Sequence, residues 1–134
     1  ATLTGTATSA QYADLAEMYS ADAEYAPGTV VHFGGDQEVS ECDTDGCKSV
    51  AGVVTSNPAY LMNNGLEAEH KCAVALVGRV PCKVQGSVKK GDMMVSAGNG
   101  AARSEDDPKM GQVIGKALED HEGEGTIEVV VGRM

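Results

Sequence analysis

The side chains that could do chemistry are few, and they gather in turns between apolar stretches. Asp92, at the end of Lys89-Lys90-Gly91-Asp92, and Ser96 just beyond it bring a carboxylate and a hydroxyl into one stretch. Asp14 and Glu17 form a second acidic pair near the start of the chain. Cutting a peptide bond requires a nucleophile beside a base, or two carboxylates that activate water. No nucleophile elbow, HExxH motif or phosphate-binding glycine loop frames these residues. The simpler expectation for Asp92 is a turn residue whose carboxylate caps its own backbone. For Asp14 and Glu17 it is a solvated helix face.

By residue type, Cys42, Cys47, His70, Cys72 and Cys82 would suit a tetrahedral zinc ion, but their spacing does not make a pair of zinc knuckles. Asp43, Asp45 and Gly46 echo the opening of a calcium loop that lacks its closing glutamate. Asp43 and Asp45 are thus weak metal candidates, and no cofactor is expected. Cys42 and Cys47 flank Asp43-Thr44-Asp45-Gly46, a tight-turn tetrad that would set the two sulfurs across the mouth of a hairpin, so a disulfide between them is one expectation. Cys72 and Cys82 would lie about 33 Å apart in one unbroken strand. They are expected as buried free thiols unless the chain folds back near Gly78 or Pro81. His32, between Val31 and Phe33, and the loop residues His70 and His121 are expected at the surface. Arg79, set in an apolar strand, is expected to be exposed or to pair with an acid of a neighbouring subunit.

These residues need a frame, and composition narrows it. The chain has 134 residues, 17 of them Gly, and only 4% aromatics, so valine, leucine, isoleucine, alanine and methionine must fill a core broken by many turns. Ten basic against 20 acidic residues leave a net charge of -10, which would repel a phosphate backbone, so no nucleic-acid partner is expected. No apolar run approaches the roughly 20 residues that span a bilayer, and no membrane insertion is expected.

From Val50 to Met134, apolar runs alternate with turns at intervals of about 8 to 12 residues, the pattern of a sandwich or barrel. Further runs, Thr29 to Phe33 and Val39 to Cys42, precede them. Tyr12, Leu15, Ala16 and Tyr19 fall at helical spacing, predicting a short helix within Tyr12 to Glu24. Ala59 to His70 reads as an ordered loop, and Gln112 to Leu118 as a strand tilting into a helical turn. Ala1 to Ala10 is small, threonine-rich and uncharged. It reads as an extended arm or linker in which Thr2, Leu3 and Thr4 are candidates for contact with a neighbouring copy. The expected organisation is therefore an arm at 1–10 and a single mostly β domain at 11–134, a sandwich or barrel-like fold with short helical segments.

Seven blocks, taken in order, resemble a C-terminal module of tail fibres and other appendage proteins of tailed phages, including phages of cyanobacteria. They are Tyr12 to Glu17 (YADLAE), Pro27 to Val31 (PGTVV), Val50 to Pro58 (VAGVVTSNP), Val74 to Lys83 (VALVGRVPCK), Lys90 to Asp92 (KGD), Gly115 to Glu119 (GKALE) and Ile127 to Val131 (IEVVV). The resemblance implies a non-catalytic virion-surface domain, trimeric or polymeric, that caps or assembles a fibre with other phage structural proteins. It also implies contact with a host-surface receptor through the Ala59 to His70 and Ser104 to Lys109 loops. Two alternatives travel with it: a chaperone domain that cuts itself free once, and a filament subunit linked through its N-terminal arm.

Overall fold

β-branched valines and closely spaced glycine turns favour extended backbone. In the computed structural model, which describes residues 13–132, every regular element is a strand. In chain order these are β1 (Asp14–Ser20), β2 (Val30–His32), β3 (Ser40–Glu41), β4 (Val50–Val54), β5 (Tyr60–Met62), β6 (Lys71–Val84), β7 (Ser87–Val88), β8 (Met93–Gly98), β9 (Ala101–Ser104), β10 (Gly115–Ala117), β11 (His121–Glu122) and β12 (Gly125–Val131). The mostly β, barrel-like fold expected from the turn spacing is the one that forms. The arm expected at Ala1 to Ala10, with Thr2, Leu3 and Thr4, lies outside the described residues.

Five strands close on themselves. β6 pairs with β12, β12 with β10, β10 with β8 and β8 with β9, all antiparallel, and β9 returns to β6 in parallel through Ala102 and Val84. Closure leaves this part of the sheet without a free edge. β4, β2 and β3 extend the sheet from β6, while β1 lies antiparallel to the first half of β6 and carries β5 in parallel on its outer side. β7 and β11 form a separate two-stranded ribbon.

The long strand β6 belongs to both halves, and Gly78 is where it changes neighbour. Up to Gly78 its partner is β1; from Gly78 onward it is β12. Arg79 N donates to Ala13 O at 3.1 Å as the last bond to the β1 side. Gly78 has φ of 113°, and a Cβ there would stand 2.3 Å from the Ala13 carbonyl oxygen, so only glycine permits both the conformation and the close approach. Pro81 is accommodated in the same strand because the alternate position Lys83 donates to Gly28 O, away from β12. The N–H that proline lacks would point to that same turn side and not into the ladder.

Two cores result. The barrel interior holds Val80, Cys82, Val84, Met94, Ile114, Ile127 and Val129. A second cluster of Val31, Val39, Val54, Cys72 and Val74 packs on the opposite face under Tyr19, Tyr25 and Leu76. β2 and β4 are sandwiched between them, Val30 and Val53 facing the barrel and Val31 and Val54 the outer layer. The fully buried side chains are overwhelmingly valines around Met94, which is how a chain so poor in aromatics fills its interior.

Three expectations need correction. Tyr12 to Glu24 makes no helix: Asp14–Ser20 is a strand, because β6 offers it an antiparallel edge with seven registered pairs, outweighing a weak helical stripe. The helical turn after Gln112 is also absent, since Leu118 N still donates to Glu128 O and holds the backbone in the ladder. The Ala59 to His70 loop contains the short strand β5.

Candidate functional site

Asp92 and Ser96 stand on β8 or at its mouth, and both are spent on structure. The Asp92 carboxylate accepts from Lys89 N at 2.9 Å and from Ser104 Oγ at 2.8 Å, the expected turn cap. Ser96 is fully buried; its hydroxyl donates to Thr44 O and accepts from Cys47 N, both at 2.7 Å, while its carbonyl accepts from Gly46 N. It pins the turn between Cys42 and Cys47 to the barrel wall. With its proton on a carbonyl, the hydroxyl has no base to activate it.

That turn carries the remaining polar candidates. Asp45 is clasped by Arg103, whose Nε and Nη2 donate to its two oxygens at 2.7 and 3.1 Å, and the guanidinium holds the carboxyl below its ordinary range. This carboxylate serves a cation already present in the chain. Asp43 is exposed, and among the described residues no group of three or more His, Cys, Asp or Glu is arranged to hold a metal ion. The Cys42–Cys47 disulfide expected from the turn is not formed: all four cysteines are free thiols. Cys72 and Cys82 sit in unbroken β6 and in different cores, the first in the outer layer and the second in the barrel. Burial pushes their thiols up to about 11 and about 12.

What the sequence did not announce is the surrounding of Cys47. His32, read as a surface residue, places Nδ1 3.7 Å from Cys47 Sγ and 3.1 Å from Ser49 Oγ, and Ser49 Oγ lies 3.2 Å from the same sulfur. On the far side of the ring, Ser40 Oγ is 3.1 Å from Nε2 and gives its own proton to Gly34 O at 3.0 Å. A hydroxyl has one proton, so Ser40 accepts from Nε2–H. This network assigns the neutral ring the tautomer whose bare Nδ1 faces Cys47. Cys42 gives its own thiol proton to Thr44 O at 3.6 Å, and burial pushes this thiol up. Fifteen residues separate His32 from Cys47, and only the pairing of β2 with β3 and β4 brings them together. No local motif could have signalled it.

Arg79 has an acid within the chain: Nε lies 3.7 Å from Glu128 Oε1 on β12. Burial and the nearby Glu119 nonetheless raise the Glu128 carboxyl against the lowering effect of Arg79, burial being the largest influence. Asp14, read as solvated, is 4% exposed at the head of β1, and its Oδ2 has no hydrogen-bond partner. Burial raises this carboxyl, with a hydrogen bond from Thr55 opposing.

Outside β1, an apolar row crosses three strands. Tyr60 of β5 registers with Leu15 of β1, which registers with Val77 of β6. Tyr60 is 64% and Val77 56% exposed. The three side chains are aligned across one sheet face and are not scattered singly.

No family model and no curated protein matches the sequence. Solved structures similar to it in fold include two proteins of bacteriophage phi29. Bacteriophage phi29 gene product 12, in its pre-mature form, aligns over 90% of this chain with a TM-score of 0.67 and 12% identity, and the chain spans 21% of that protein's length. The N base of the phi29 head fiber gp8.5 aligns over 85% of this chain and 90% of its own, with a TM-score of 0.50 and 17% identity. At such identities the likeness is one of architecture: the β fold of this chain is a fold found in phage proteins.

Proposed function

We propose that this chain is a structural domain of a phage appendage, exposed on the virion, that assembles with copies of itself through the Tyr60–Leu15–Val77 face. The observation that carries the reading is the shared fold with two phi29 proteins, one of them a head fiber, over 85% or more of this chain. The ordered sequence blocks that resemble tail-fibre modules support the same reading, as does the structural engagement of Asp92 and Ser96. In this reading the finer assignment is a tail-fibre end domain, trimeric, with its surface loops available to a host receptor. Single-particle imaging of the purified chain tests it. Particles with rotational symmetry, contacting through β1, β5 and β6, are expected; monomers at all concentrations would contradict it.

A second reading has two observations in its favour. Gene product 12 was solved in a pre-mature form, and Asp14, at the head of β1, is a buried carboxyl with an unpartnered oxygen. Here the domain cuts its own chain once, with Asp14 as the acid or base. Loss of a discrete cleavage product in Asp14→Asn, with folding intact, would establish it over the structural reading.

A further inference from the structure

We propose that residues 1–12 of one copy add as a strand to the outer edge of β5 in a second copy, with Leu3 seated in the groove beneath Leu61. The inference rests on the assembly reading above and supplies its means of attachment. β5 pairs with β1 alone. Ala59 N donates to Asp14 O at 2.9 Å, so the alternate residue Leu61 also turns its backbone groups to β1, while Tyr60 and Met62 turn theirs outward. Among the described residues no hydrogen bond reaches those outward N–H and C=O groups. The strand holds no lysine or proline to blunt it, and an open edge of this kind is a template for another strand.

The two faces beside that edge differ. Tyr60 shares one with Leu15 and Val77, whereas Leu61 shares the other with Ala16. On the Leu61 side an open groove of about 530 Å³ is lined by Met18, Pro58, Leu61 and Ala73. The sequence of residues 1–12 alternates to match: Thr2, Thr4, Thr6 and Thr8 occupy every second position, with Leu3, Gly5 and Ala7 between them. Threonine is a good strand former. In the added strand Leu3 enters the apolar groove, and the threonine methyls lie over Tyr60 with their hydroxyls to water.

Chain path and charge make the donor a second copy. Ala13 O accepts from Arg79 N, so the chain enters β1 beside β6. The segment leading into β5 lies against Asp14 at the same end of the sheet, through Ala59. To reach the far side of β5, a chain's own residues 1–12 would have to cross that connection, and connections at one end of a sheet do not cross. The whole chain carries a net charge of -10, yet residues 1–12 hold no charged side chain. They can therefore approach another acidic copy without adding to the repulsion between the two.

The test uses the full chain throughout. In the double variant Thr4→Pro, Ala7→Pro the two prolines differ in parity, so one of them removes a ladder N–H whichever set of backbone groups faces β5. Sedimentation velocity should show self-association weakened about tenfold or more, with thermal melting unchanged. Mixing the Leu3→Cys chain with the Leu61→Cys chain under mild oxidation should give a covalent dimer whose link maps to the two new thiols. In a chain carrying both substitutions the link should join separate copies. Equal assembly by the folded proline variant and the wild type would overturn this proposal while leaving the assembly reading in place. So would a Leu3→Cys to Leu61→Cys link formed within one chain, or no such link between chains that do assemble. A wild-type chain that stays monomeric would overturn both.

Discussion

The barrel and the layer outside it are built from the same residue types and share strand β6, yet they solve opposite problems. The five-stranded ring consumes every edge and buries valines around Met94. The β1–β5 layer ends in a three-residue edge strand and leaves Tyr60 and Val77 in solvent. Closure buries the apolar face of the ring within the chain, whereas the outer layer leaves apolar surface exposed. The division falls at Gly78, where β6 passes from one neighbour to the other.

Substitutions should separate these roles, and the largest effect belongs at the boundary. Gly78→Val forces a side chain against the Ala13 carbonyl at a backbone conformation valine avoids, and the chain is expected to lose its cooperative thermal transition. Met94→Ala, in the barrel, should cost about 2–5 kcal/mol by chemical denaturation. Ser96→Ala removes both side-chain hydrogen bonds to the Cys42–Cys47 turn and leaves Cys47 N short of a partner, for a loss of about 1–3 kcal/mol.

In the outer layer the effects on stability shrink and can change sign. Because burial raises the Asp14 carboxyl, the folded chain binds its proton more tightly than the unfolded chain does. Its favourable contribution is therefore full below the ordinary carboxylate range and is lost as pH rises through the raised folded value. Asp14→Asn should stabilise the chain by about 1 kcal/mol at neutral pH. Melting curves against pH should show that advantage fading as acid protonates the native carboxyl. Tyr60→Ser and Val77→Ser should each alter monomer stability by no more than about 0.5 kcal/mol, as exposed positions do.

The sequence carried the fold class through its turn spacing and the role of Asp92 through the Lys89-Lys90-Gly91-Asp92 tetrad that it closes. It misled where long-range pairing decides. Leu15, Ala16 and Tyr19 suit a helix until β6 is present to pair with them. Cys72 and Cys82 share parity on paper, but the register shift between Leu15 and Ala16 and the turn of the backbone at Gly78 put them into separate cores. Arg79 meets Glu128 only because β12 returns alongside β6. The His32–Cys47 pair was hidden for the same reason, its members lying on β2 and in the loop before β4 with no local spacing to announce them.

The central claim, that the layer outside the barrel exists to be covered by another copy, is tested most directly by sedimentation velocity of the full chain beside a Tyr60→Glu, Val77→Glu double variant. The account predicts a concentration-dependent oligomer for the wild type and a folded monomer for the variant. A wild-type chain that sediments as a monomer throughout, or a folded variant that assembles as the wild type does, would contradict it.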